Sequence, residues 1–91
     1  MAGRLGEVTE YTEAPLDNWI ASFDGRVLEI FTPYLDGSMR YYVGLMVGFE
    51  IDGNTLTATF LRSEKGFWPF NEDQREKVEA LVTAVNAARG N

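Results

Sequence analysis

The 91-residue chain contains no cysteine and no histidine. The first absence excludes disulfides and thiolate nucleophiles and removes the best soft metal ligand. The second removes the side chain most used for general acid-base work and for binding zinc, copper or non-haem iron. Cations are scarce as well: eight Lys and Arg stand against fourteen Asp and Glu, a formal charge of −6. Such a chain repels phosphate backbones unless its few cations gather on one face, which argues against nucleic acid and anionic membrane as partners. Long apolar runs are missing too. The longest, residues 41–49, is about half of what a membrane span needs and is interrupted by Gly44 and Gly48. Met1, Ala2, Gly3 and Arg4 lead into no apolar stretch of the secretory kind. The expectation is a soluble cytoplasmic protein that uses no metal and no cofactor.

What is present suits one packed domain over residues 1–91, with 1–14 either an edge strand or a mobile arm. A hydrophobic share of 45% and a charged share of 24% are ordinary for a globular chain. Three Asp-Gly pairs, Asp24-Gly25, Asp36-Gly37 and Asp52-Gly53, punctuate runs rich in Val, Ile, Leu, Phe, Tyr and Thr. Glycine tolerates the positive φ of a tight hairpin and Asp can bond its own backbone, so the centre of the chain reads as an antiparallel meander.

Residues 26–33 alternate as a strand, with Leu28 and Ile30 on one face and Val27, Glu29 and Phe31 on the other. Residues 39–52 are too long for one flat strand, and a bend or bulge near Gly44 and Gly48 costs least. Val47, Phe49 and Ile51 pair through Asp52-Gly53-Asn54 with a strand whose Leu56, Ala58 and Phe60 face inward and whose Thr55, Thr57 and Thr59 face water. Residues 63–66 turn, and Phe67-Trp68-Pro69-Phe70 adds a brief strand stopped by Pro69. Residues 15–23 read two ways. Leu16, Trp19, Ile20 and Phe23 have the spacing of one helix face, whereas Trp19, Ala21 and Phe23 alternate as in a strand. Asp17 and Asn18 are poor strand residues, so a short helix is the preferred reading.

At the other end Asn71 caps a helix and Gln74 reaches back as in a capping box. Val78, Leu81, Val82, Val85 and Ala88 form its apolar stripe, with Asp73–Lys77 and Arg75–Glu79 as i, i+4 pairs. The fold class is therefore α+β: an antiparallel meander of three to six strands packed by a C-terminal amphipathic helix. If the N-terminal stretches are strands, this element order resembles the pleckstrin-homology-type barrel. The basic strand-loop cluster of lipid-binding members has no counterpart here, so lipid binding is not implied. If 15–23 is helical, the order is similar to double-stranded RNA-binding domains. Their lysine-rich helix start is replaced by Asn71-Glu72-Asp73-Gln74, so RNA binding is not implied either. Fold analogy alone does not license a function.

Aromatic residues are the main candidates for a site. Trp19, Tyr34, Tyr41, Tyr42, Phe67, Trp68 and Phe70 are many rings for so small a domain, and adjacent Tyr41 and Tyr42 must point to opposite faces of a strand. Tyr41, Tyr42, Trp68, Phe70 and Trp19 are the candidate binding residues; core or cross-strand packing is the structural alternative for each. Glu29 and Glu50, mid-strand among apolar residues, are the candidate carboxylates for chemistry, with an outward cross-strand ion pair to Arg40 or Arg62 as the commoner explanation. Asp17, Asn18 and Asp24 lack the spacing of a calcium loop. The expected function is a non-enzymatic interaction module that binds a protein partner, or itself, through an aromatic strand face. Two alternatives are an acidic inhibitor or mimic that neutralises a basic partner, and a small-molecule pocket or carboxylate-based enzyme.

Overall fold

The computed structural model describes residues 11–33 and 38–90. Seven strands run through them: β1 (Thr12–Leu16), β2 (Trp19–Phe23), β3 (Val27–Phe31), β4 (Ser38–Tyr42), β5 (Met46–Asp52), β6 (Thr55–Phe60) and β7 (Lys65–Pro69). One α-helix, α1 (Arg75–Arg89), follows. All pairing is antiparallel between consecutive strands, in one sheet ordered β1-β2-β3-β4 and a second ordered β5-β6-β7. The α+β meander with its C-terminal helix is thus as expected. Among the described residues the strands are seven in two sheets, because residues 12–23 contribute two of them.

The helix expected at 15–23 is replaced by the β1–β2 hairpin. Asp17 and Asn18 form its two-residue turn, with Asp17 in the left-handed region at φ 61°. Short Asx side chains tolerate that backbone, so these poor strand formers are the turn. Leu16 and Trp19 flank the turn as register partners. A two-residue hairpin therefore makes neighbours of i and i+3, the same relation that a helix produces. Pro15 is accommodated because β1 is an edge strand among the described residues.

At the second turn Asp24 Oδ1 accepts from the backbone N–H groups of Arg26 and Val27, both at 2.9 Å, while Gly25 takes φ 100°. Those N–H donors, that of Val27 foremost, hold the Asp24 carboxyl below the usual Asp range. The Asp36-Gly37 turn and Tyr34 lie outside the described residues. The break in 39–52 occurs where glycine makes it cheap: a 3-10 turn over Val43–Leu45, then a register shift between Met46 and Gly48. Gly53 at φ 64° closes the β5–β6 hairpin.

The core lies between the sheets and α1. Ala14, Leu16, Ala21, Phe23, Leu28 and Ile30 from the first sheet meet Phe49, Leu56, Ala58 and Trp68 from the second, and Val78, Leu81 and Val85 from the helix. Each of those three helical side chains is fully buried and stabilises the fold by about 1.5 to 3 kcal/mol. Ala88, expected on the buried stripe, is exposed; Val82 is half-buried. Thr57, expected to face water, is buried, since it is central in its sheet between Glu50 and Phe67. Arg75 pairs with Glu72 at 2.7 Å instead of with Glu79, and among the described residues Asp73 and Lys77 are not an ion pair with each other.

The helix start is fastened to both sheets. Gln74 Oε1 accepts from Asn71 N at 2.8 Å and from Asp17 N at 2.9 Å, while its Nε2 donates to Asp17 O at 3.2 Å. Arg75 Nη2 donates to Gly53 O at 2.9 Å, and its guanidinium lies over the Phe70 ring. At the other end Asn86 Nδ2 donates to Phe49 O at 2.9 Å and Arg89 Nη1 to Val47 O at 3.2 Å. Both acceptors belong to β5, an edge strand, so the helix occupies the β5 side of the assembly and satisfies carbonyls there.

Candidate functional site

Two sheets that meet face to face have two lateral seams. Helix α1 packs on β1 and β5 and fills one of them. At the other, β4 and β7 are the outermost strands of their sheets, and among the described residues no strand pairs with either free edge. A cleft of about 820 Å³ opens there. One wall is Arg40, Tyr41 and Tyr42 of β4, with Leu45 of the 3-10 turn beside them. The opposite wall is Phe60 at the end of β6, the connection Leu61, Arg62 and Glu64, and Lys65 and Gly66 of β7.

The hydrogen-bond alternation shows which backbone groups look into this gap. Val43 N donates to Arg26 O at 2.9 Å, so residues 26 and 43 are a bonded pair. The bonded positions on β4 are then Met39 and Tyr41, and the N–H and C=O groups of Ser38, Arg40 and Tyr42 point to the free edge. On β7 the bonds Phe60 N to Glu64 O (2.8 Å) and Phe70 N to Asn54 O (2.9 Å) place Gly66 and Trp68 toward β6. Lys65, Phe67 and Pro69 point outward. Pro69 sits where its missing N–H costs no ladder bond.

The floor is aromatic. Tyr41 points inward, stacks on Phe60 with ring centroids 4.8 Å apart and meets Trp68 edge-on at 6.0 Å. Partial burial raises the Tyr41 phenol above the usual tyrosine range. Trp68 folds back over Gly66: a Cβ on that glycine would overlap the indole. The rim is cationic. Three of the eight Lys and Arg, Arg40, Arg62 and Lys65, line the cleft against one carboxylate, Glu64. Arg40 Nε donates to Glu29 Oε2 at 3.0 Å across β3–β4, and Ser38 Oγ donates to the same oxygen. The Ser38 hydroxyl and then the Arg40 guanidinium hold Glu29 below the usual Glu range. Arg62 and Lys65 form no ion pair among the described residues. Arg62 and Ser63 both adopt left-handed backbone, φ 73° and 66°, which costs about 1 kcal/mol or more per residue and fixes a tight corner on this wall.

Of the residues singled out in the sequence, Tyr41 and Tyr42 come to the cleft. Tyr42 is 59% exposed and faces outward beside Val27, its register partner. Trp68 is buried behind the floor, Phe70 is buried under Arg75, and half-buried Trp19 packs on the core next to the β1–β2 turn. Glu29 lies in a cross-strand ion pair and Glu50 is exposed on β5; neither lines the cleft. Leu45, Leu61, Arg62 and Lys65 were missed. Their residue types are those of ordinary loops, and only the meeting of β4 with the β6–β7 connection brings them together. No family model, curated protein or solved structure matches this chain.

Proposed function

We propose that this chain is a non-enzymatic recognition module whose binding surface is the open seam between β4 and β7. The observation that carries this reading is the asymmetry of the two seams. Helix α1 fills one and donates side-chain hydrogen bonds to β5, whereas the other keeps strand edges that are unpaired among the described residues, an aromatic floor and a cationic rim. Exposed Tyr and Arg side chains around a concave apolar patch are the composition of interface anchors. A protein partner is the expected occupant.

The test is affinity capture with the wild-type chain and with Tyr42→Ala, a substitution at an exposed side chain. The wild type retains a partner that Tyr42→Ala releases while its thermal unfolding stays unchanged. Retention indifferent to changes at Tyr42 and Arg62 would refute the seam as the surface. Light scattering decides whether the partner is a second copy, in which case a concentration-dependent dimer is abolished by the same substitution. The cleft volume also lies in the range of small-molecule sites, which favours an apolar anion as a second reading. Native mass spectrometry of protein from its own source checks for it.

A further inference from the structure

Resting on the recognition reading, we infer that the seam takes an extended peptide segment of a partner protein that adds to the free edge of β4 as a fifth strand and alternates acidic with apolar residues. β4 is the receptive edge. It presents N–H and C=O groups from three successive outward positions, Ser38, Arg40 and Tyr42. The facing edge of β7 carries Pro69, which has no N–H, and Lys65, a residue type that discourages strand pairing. Added strands gain affinity from main-chain bonds and specificity from alternate side chains.

The two faces dictate the alternation. A residue directly opposite Arg40 or Tyr42 bonds to β4 and places its side chain on the same outer face. There it meets Arg40, while Lys65 adds a second positive charge on the opposite wall of the cleft. Acidic side chains fit those positions. The intervening residues point toward Tyr41, Phe60 and Leu61, and apolar side chains fit there. Charge complementarity is pronounced because the seam is cationic on a chain of net charge −6.

A fluorescein-labelled octapeptide alternating Glu with Val is the probe, titrated against the full chain by fluorescence anisotropy. N-methylation of the Glu residues removes the N–H groups aimed at β4 and is expected to weaken binding by about ten-fold or more, whereas N-methylation of the Val residues leaves it within about three-fold. Arg62→Glu with Lys65→Glu, both exposed, weakens it by about ten-fold or more without altering thermal unfolding. Amide exchange at Arg40 and Tyr42 slows in the complex. Equal effects of the two methylation patterns, or unchanged exchange at Arg40 and Tyr42, overturn strand addition. Absence of probe binding while Tyr42-dependent capture of a partner persists overturns this inference alone; loss of both removes the recognition reading as well.

Discussion

Gly66 and Trp68 show how one missing side chain shapes the surface. They are two residues apart on the inner face of β7, and the indole lies where a Cβ on Gly66 would stand. Gly66→Ala is expected to displace the ring from the Tyr41–Phe60 stack and destabilise the fold by about 1 to 3 kcal/mol, read from urea unfolding followed by tryptophan fluorescence. Asp24 works in the opposite way, by supplying a side chain where the backbone needs an acceptor. Its carboxyl is held below the usual range in the folded state, so its contribution is complete above the unfolded-state pKa and is lost as pH falls through the lower folded value. Asp24→Asn keeps an acceptor oxygen but does not titrate there. Its stability should fall less steeply than that of the wild type below about pH 4, as followed by acid-dependent denaturant melts.

Among the elements, α1 is the one whose position depends on polar fastening as well as apolar burial. Gln74 carries three hydrogen bonds, one to the helix cap and two to the backbone of Asp17, and so joins the first hairpin to the last helix. Gln74→Ala leaves two N–H groups and one C=O without these partners and is expected to cost about 1 to 2 kcal/mol. Hydrogen exchange should quicken at the Asp17–Asn18 turn and in the first turn of α1, with β6 and β7 unaffected below the global limit. Arg75 performs the matching task for the β5–β6 turn through Gly53 O.

For the whole molecule, both sheets and the helix share one core, with Leu81 wholly buried. Leu81→Ala should lower stability by about 2 to 5 kcal/mol. Because the buried side chains of both sheets belong to the same cluster, a single unfolding transition is expected, with far-ultraviolet dichroism and tryptophan fluorescence changing together. Two separated transitions would contradict a shared core.

Period-two alternation, turn chemistry and the helix cap could be read from residues alone because they are local: Asp24-Gly25, Asp52-Gly53 and Asn71-Glu72-Asp73-Gln74 act on their own backbone within a few positions. The hairpin at 12–23 escaped that logic, since Leu16 and Trp19 are neighbours across a two-residue turn and across one helical turn alike. Local spacing does not distinguish the two; burial of Ala14, Leu16, Ala21 and Phe23 against a distant helix does. The site was legible only in Tyr41 and Tyr42, whose opposite faces follow from strand geometry. Composition by itself determined an acidic chain without imidazole or thiol, because that depends on residue types alone, and residue order added the α+β class. Which strand edges stay open among the described residues, and that Arg40, Arg62 and Lys65 gather beside them, was decided by tertiary structure: α1 packs on β1 and β5, at the seam away from β4 and β7.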